Sequence, residues 1–508
     1  MNLLGIDVGT TGCKVALFSL QGEMLASAYR EYDAQIPQPG WAQLDAEAIW
    51  EDVKELIRSV TAACPGVEIQ ALSVSSLGEA MVPVSDDRQV LGPSLLNFDT
   101  RGDEFLEELA AILPDERLYA INGNTLGNQY SLTKLKWICS HQPELYSRTY
   151  KFLPWSAFIA FMLGGDPVVD FSLANRTLLF DIHKGDWSDA LLEDVGLDSS
   201  KLPATVPSGT VIGTVSTQIA AELGLPSGTL IVSGPHDQCA NAVGCGVVEP
   251  GSAVYGMGTY HCITPVFAAQ PNSQAMIKRG LSTEHHAIPD RYVCFIYNQG
   301  GSMVKWFRDT FAAVEHHQAE TEGRSIYPAL FAEIPMDPSS VMVLPHFSPT
   351  GPPDFIVDSS GMMAGLRLET SRGEVLKGII EGVAFNLKEV VDSLPETGIQ
   401  TEDYRAVGGG SQSDAWVQTC ANIFGQPFTR PVITEAGALG AAIIAGVGSG
   451  LFESYAQGVA VMVKLGRTFV PDPRQHERYQ TRYRYYQHLW PLMADYLREL
   501  SADTRHQG

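Results

Sequence analysis

Positive charge is scarce in this chain. Of 508 residues, 34 are Lys or Arg against 58 Asp or Glu, a formal net charge of −24. Such a balance argues against nucleic acid or an anionic membrane as the main partner, and an anionic substrate would need local cations or a divalent metal. Cysteine is present without a pattern. Cys13, Cys64, Cys139, Cys239, Cys245, Cys262, Cys294 and Cys420 form no C-x-x-C pair and no zinc-like spacing, so a reducing cytoplasm is the expected setting. The first residues lack a basic stretch leading into an apolar core, so no secretory leader is expected. The apolar run Ala436 to Phe452 is shorter than the roughly 20 residues a membrane-spanning helix needs, and a buried helix is expected there. Two catalytic signatures are missing as well. Without G-x-x-x-x-G-K-[ST] or H-E-x-x-H, a P-loop kinase and a zinc hydrolase are disfavoured.

What the chain does have is a repeated Gly/Thr turn between apolar runs. Leu3 to Phe18 reads L-L-G-I-D-V-G-T-T-G-C-K-V-A-L-F, the pattern of a β-hairpin whose bend carries Asp7, Gly9, Thr10, Thr11 and Lys14. Glycines without a Cβ let backbone N–H groups crowd an anion, the two hydroxyls add donors and Lys14 adds a cation. Asp7 would repel a bare phosphate, but it suits a phosphate carrying Mg²⁺, which it could reach directly or through water. A second such stretch, Ala253 to Phe267, carries Gly258 and Thr259 in its turn. The repeat predicts two like-folded lobes, each lending one hairpin to a shared ligand. A third Gly-rich turn, Gly408, Gly409 and Gly410, leads into a helix start that Ser411 or Ser413 can cap. One nucleotide accounts for all three turns.

These motifs resemble the FGGY carbohydrate kinases of the actin, sugar-kinase and chaperone-ATPase superfamily. The likeness rests on D-V-G-T-T-x-x-K, G-M-G-T, G-G-G-S-x-S-x-x-W and the downstream E-A-G-A-L-G-A-A. It extends to S-L-T-K-L-K-W (Ser131 to Trp137), N-F-D-T-R (Asn97 to Arg101), P-H-D-Q (Pro235 to Gln238) and L-K-G-I-I-E-G-V-A-F (Leu376 to Phe385), from about residue 3 to about residue 490. The resemblance implies an α/β chain of two RNase H-like, actin-like ATPase lobes, each a mixed β-sheet flanked by helices, with the active site in the cleft between them. The lobes are expected at 1–248 and 249–508, with a C-terminal helix from about 473. For the ligand shared between the turns, the resemblance implies ATP with Mg²⁺. The phosphate and adenosine contacts would come from Gly9, Thr10, Thr11, Lys14, Gly258, Thr259, Gly408, Gly409, Gly410 and Ser413, with Asp7 on the metal.

The acceptor side is read from strand ends. Ser75 to Val84 sets Glu79 among small residues after Gly78, where the family contacts the sugar; a carboxylate there can accept from two hydroxyls, though loop glutamates are commonly just solvated. Gln129 falls where glycerol kinases carry a substrate-contacting Tyr. Ile231 to Val248 places His236, Asp237 and Gln238 where a buried strand meets a helix N-terminus, which favours an ionised carboxylate. Asp237 matches the family's general base, and as a helix cap it would look the same. Asp99 and Arg101 are expected to form a local ion pair, Asp170 and Asn175 to be structural, and the His285-His286 and His316-His317 pairs to be surface residues. Further helices are expected at Leu44 to Ala63, Leu376 to Leu394 and Ala438 to Ala445, the last close to the Gly408–Gly410 turn. The Tyr stripe after Pro473 reads as core packing.

The resulting expectation is a phosphotransferase acting on a primary hydroxyl of a small sugar, a ketopentose first. A tetritol, another polyol or an open-chain signal molecule stand behind it. Xylulokinases show Q-M-H where this chain has Leu77-Gly78-Glu79, and glycerol kinases an Arg-Glu pair in place of Gly78-Glu79. The rival from another class is a non-enzymatic nucleotide switch, although nothing reads as a peptide-binding domain or a filament insertion. Neither nucleic acid nor membrane is expected as a partner, and a homodimer is a fair expectation.

Overall fold

Two sheets of matching topology organise the chain in the computed structural model, which describes residues 1–433 and 435–505. The first runs Val211–Thr214, Leu230–Val232, Ile69–Ser76, Asn2–Val8, Gly12–Ser19, Met24–Glu31. Asn2–Val8 pairs antiparallel with Gly12–Ser19 and parallel with Ile69–Ser76, which in turn lies parallel to Leu230–Val232. The second repeats this arrangement. Gly251–Met257 pairs antiparallel with Tyr260–Phe267 and parallel with Thr401–Val407, followed by Phe428–Pro431 and the antiparallel Leu465–Phe469. The predicted repeat is therefore a repeat of whole sheets.

Local patterns explain the flanking elements. Helix Ala46–Ala63 starts where the Asp45 side chain accepts from the Ala48 N–H, and it buries Ile49, Trp50, Val53, Leu56, Ile57 and Val60 at helical spacing against the first sheet's outer strands. Ile69–Ser76 is covered on both faces and is buried almost throughout. The long helix of the second half begins earlier than the apolar pattern suggests, at Arg372, because Ser371 and Glu374 form a capping box. At the C-terminus, helices Pro473–Gln487 and Leu489–Arg505 follow one another, and Tyr479, Tyr483 and Tyr486 pack on Phe385. No helix among the described residues is long and apolar enough to cross a membrane.

The expected ion pair is real and deeply set. Arg101 Nη2 lies 2.6 Å from Asp99 Oδ2, both side chains buried, while Lys134 Nζ donates to the Asp99 and Arg101 carbonyls at 2.6 and 3.1 Å. This is a structural knot. Asp170 is structural too, accepting from the Ser172 and Leu173 N–H groups and from the Ser208 hydroxyl.

Two expectations need correction. Helix Ala436–Gly448 does not pack beside the Gly408–Gly410 turn. It lies against Asn2–Val8, Ile69–Ser76 and helix Asp237–Gly244. Contact there is backbone on backbone: a Cβ at Gly5, Gly244 or Gly440 would fall 1.8–2.0 Å from the carbonyl oxygens of Ala438, Ala436 and Ala240. Small residues are what allow that approach. The pair His285-His286 is not on the surface. His286 is 4% exposed, and His285 packs among Phe171, Phe180 and Tyr292 with Nε2 3.0 Å from the Ile182 carbonyl. Packing of the short strand Glu284–His285 onto helix Phe171–Asn175 draws it inward. His316 and His317 do lie at the surface, partly and fully exposed.

Candidate active site

Asp7 and Asp237 stand at the first turns of the two interlocked helices. Asp237 is the first residue of helix Asp237–Gly244; His236, not Asp237, is the N-cap. Asp7 ends its strand against the other helix, where a Cβ on Gly437 would fall 2.5 Å from Asp7 Oδ2. Ser75, across the parallel pairing, donates to Asp7 Oδ1 at 2.6 Å. Burial raises the pKa of both carboxyls. Asp7 moves up despite Ser75 and Lys14, and Asp237 is pushed up to about 7 by burial first and by the Asp7 charge second. A quarter of the Asp237 side chain, 24%, stays open, so it can meet a ligand.

The neighbours of Asp237 hold it in place. Gln238 Nε2 donates to Oδ1 at 3.1 Å, and His236 Nε2 lies 3.3 Å from the same oxygen. Burial and the Arg176 charge drive the His236 imidazole well below its usual range, so it is neutral. The His236 N–H donates to Ser172 Oγ at 2.9 Å. Gly78 and Glu79 flank this group. A Cβ at position 78 would lie 3.2 Å from His236 Nε2 and 3.4 Å from Arg176 Nε, while Glu79 accepts from Arg176 Nη2. Gln129 adjoins the same wall through Tyr130, whose ring lies 4.9 Å from the Arg176 guanidinium carbon.

The first hairpin presents its turn freely. Gly9 N–H donates to the Gly12 carbonyl at 2.9 Å, Tyr32 OH donates to the Gly9 carbonyl at 2.6 Å, and the Thr10 and Thr11 hydroxyls take no protein partner among the described residues. Lys14 is ion-paired with Glu435, just ahead of helix Ala436–Gly448. The second hairpin meets helix Gly301–Phe311 end on, the Gly258 and Thr259 carbonyls accepting from Gly301, Gly300 and Ser302 at 2.9–3.1 Å. Asp237 is within electrostatic reach of Asp7 on the first hairpin and of Cys262 on the second.

Beyond the second hairpin opens a cavity of about 1230 Å³, lined by Gly258, Thr259, Gly409, Gly410 and Ser413 from the expected set. Ser413, not Ser411, caps the following helix, accepting from the Trp416 N–H at 3.3 Å. Gly408 lies outside this lining and turns the chain with φ +87° against Met257. Much of the wall was not foreseen: Trp306, Tyr327, Phe331 and Trp416 give it flat apolar surface. A gap that buries stacked rings beside a glycine turn suits a planar base at one end and phosphates at the other. Arg176, Glu284 and Glu435 were missed as well. Of these, Trp416 closes the G-G-G-S-x-S-x-x-W motif and Glu435 opens E-A-G-A-L-G-A-A, so the sequence carried a signal for both without giving either a role.

Residues 2–244 match the N-terminal domain of the FGGY family of carbohydrate kinases, and residues 265–449 its C-terminal domain. The chain belongs to this family. Over 97% of its length and 100% of the relative's, it is 27% identical to the xylulose kinase of Escherichia coli K12. To the autoinducer-2 kinase of the same strain it is 30% identical, over 94% of this chain and 92% of that one. The crystal structure of xylulose kinase from Rhodospirillum rubrum superposes with a TM-score of 0.87 at 26% identity, covering 98% and 100% of the two chains. This FGGY protein is thus an ATP-dependent carbohydrate kinase with the expected two-lobed, actin-like α/β fold. Membership of a kinase family sets aside the non-enzymatic nucleotide switch.

Proposed function

We propose that this kinase transfers the γ-phosphoryl group of ATP to a primary hydroxyl of a small sugar, a ketopentose first, with Asp237 as the general base. One observation carries the reading: a partly open carboxylate held near pKa 7 lies within electrostatic reach of both hairpins. A base poised there takes an alcohol proton at neutral pH and is not tied up by a permanent ion pair. Phosphoryl transfer asks mainly for positioning and charge neutralisation. Thr10, Thr11 and the turn at Gly9 would cradle the terminal phosphates opposite Gly258 and Thr259. The cavity at Gly409, Gly410 and Ser413 would hold the adenosine end. For Lys14 to reach a phosphate, its pairing with Glu435 must give way.

A divalent cation fits the residues present. Two partly buried carboxylates, one raising the other's pKa, form a hard-oxygen environment that a cation would relieve. Asp7 would hold hydrated Mg²⁺, which neutralises phosphate charge when bound. Residues 1–248 would then form the acceptor lobe and 249–508 the nucleotide lobe. Helix Ala436–Gly448 and Glu284 reach across from the second half of the chain.

A second acceptor, the autoinducer-2 named for the 30% identical relative, is favoured by that likeness and by the loss of the xylulokinase Met-His pair at Gly78-Glu79. A coupled ADP assay across pentuloses, tetritols, other polyols and autoinducer-2 decides. The highest kcat/KM is expected with a pentulose, and a clear win for another acceptor overturns that choice. Asp237→Asn should cut turnover by roughly 10²–10⁴-fold, the usual worth of a positioned base, with ATP binding kept.

A further inference from the structure

Resting on the kinase reading above, the geometry points to the charge of the acceptor: we propose that Arg176, clamped by Glu79 and Glu284, makes this site select uncharged, hydroxyl-bearing sugars and refuse sugar acids.

An arginine beside a reacting centre is ordinarily a reader of carboxylate or phosphate, through its planar fork of donors. Here both terminal nitrogens of the fork are engaged by carboxylates, while Nε is buried without a partner beside Gly78. Nη2 donates to Glu79 Oε1, and Nη1 donates to Glu284 Oε1 at 2.6 Å. Tyr130 and Phe295 lie 4.9 and 5.5 Å from the guanidinium, and the side chain is 13% exposed. Two carboxylates around one cation already leave an excess negative charge before Asp237 and Asp7 are counted. A ligand carboxylate entering this space meets that repulsion and a guanidinium already paired with two carboxylates, and a buried charge without a partner of its own is costly. A hydroxyl meets the opposite situation. Ionised carboxylates only accept, and Glu79 Oε2 takes no protein partner among the described residues, so it remains for a hydroxyl to donate to.

The clamp is built into the fold. Asn175, next to Arg176, accepts from the His285 N–H at 3.1 Å, next to Glu284, and its own Nδ2 donates to the Asn122 carbonyl at 2.7 Å. Thr283 N–H donates to the Gly123 carbonyl at 2.7 Å, fixing the other side of Glu284. Ser131 Oγ donates to the Glu79 carbonyl at 2.5 Å. Gly78, by lacking a Cβ, leaves room for Arg176 and His236 to sit against the backbone.

The test sets D-ribulose, D-xylulose, erythritol and glycerol against D-gluconate and D-ribonate in a coupled ADP assay. Calorimetric binding of each acceptor to the same protein runs alongside. With the wild type, kcat/KM for both acids is expected at least about 100-fold below that of the best neutral acceptor, as for a charge buried unpaired. An acid within tenfold of the best neutral sugar overturns the proposal without recourse to any variant. Glu284→Gln, which removes one of the two negative charges on Arg176 while its amide oxygen can still accept from Nη1, should shift the ratio towards the acids by about tenfold or more through acceptor KM, with the KM for ATP unmoved. Glu79→Gln probes the other prong, and an unchanged ratio in both folded variants is a refutation. Neutral acceptors that bind while acids do not, with no phosphorylation of either, leave the clamp standing and overturn the proposed transfer to these acceptors. Acids that bind as tightly as neutral sugars overturn the clamp whatever is phosphorylated.

Discussion

Replacing Asp237 by Asn should remove turnover and make the protein more stable, by an amount that depends on pH. The carboxyl moves from 3.8 to about 7 on folding, chiefly through burial and secondly through repulsion by Asp7. A rise of roughly 3 units at ~1.4 kcal/mol each means that ionised Asp237 costs the native state up to about 4 kcal/mol. The sign follows from proton binding. Below pH 4 the side chain is protonated in both states, and Asp and Asn are equivalent in charge. Between about pH 4 and 7 the unfolded chain ionises first, so the wild type loses stability relative to the variant as pH rises. Above about 7 both states are ionised and the difference is constant. Thermal unfolding of the two proteins from pH 5 to 8.5, without nucleotide, reads this directly. The Tm gap should widen towards pH 7 and then level, reaching a few degrees. A variant that is less stable than wild type at pH 8, or a gap indifferent to pH, refutes the reasoning. If Asp237 is the base proposed above it works only when ionised, and wild-type kcat/KM should also fall about tenfold per unit below pH 7.

The neighbouring carboxylate gives a paired expectation. Asp7→Asn should lower kcat by roughly 10²–10³-fold and raise the Mg²⁺ concentration needed for half-maximal rate. It should also move the acid limb of the pH profile downwards, because the Asp7 charge that helps hold Asp237 up is gone; an unmoved limb and an unchanged Mg²⁺ requirement would contradict both roles. Gly440→Ala places a Cβ 1.9 Å from the Ala240 carbonyl oxygen, where backbone must move. The expected loss is about 1–3 kcal/mol or more in a thermal melt, with activity falling because both catalytic helix starts shift. A variant with native Tm would show that the two helices are not in backbone contact.

How much of this was legible depends on how far apart in sequence each signal lies. Each hairpin is a contiguous pattern of apolar run, Gly/Thr turn and apolar run, so both were readable, and so was the lobe repeat they imply. Asp237 was readable because its strand, break and helix follow one another within a single stretch. The helix at Ala436–Gly448 was legible as buried and small-faced but was assigned the wrong neighbour. A run of Gly and Ala says that something approaches closely without saying what, and the partner glycines, Gly5 and Gly244, sit hundreds of residues away. His285 and His286 failed for a related reason. Polar residues near a turn read as surface until a strand from the second half is docked onto the helix at Phe171–Asn175.

The acceptor wall is the extreme case. Arg176 meets Glu79 across 97 residues of chain and Glu284 across 108. Taken singly, each is an ordinary charged residue near a loop, most simply read as solvated. Their pairing depends on contacts that tie the segment around Thr283 and His285 to the first lobe, among them Asn175 to His285 and Thr283 to Gly123. A feature built from three remote single residues leaves no local periodicity to detect, whereas a phosphate turn must be contiguous to present adjacent backbone N–H groups. Contiguous phosphate turns of this kind are therefore open to a sequence reading, whereas on the proposed acceptor wall Glu79 could be singled out by itself and its pairing with Arg176 and Glu284 emerges only once the chain is folded.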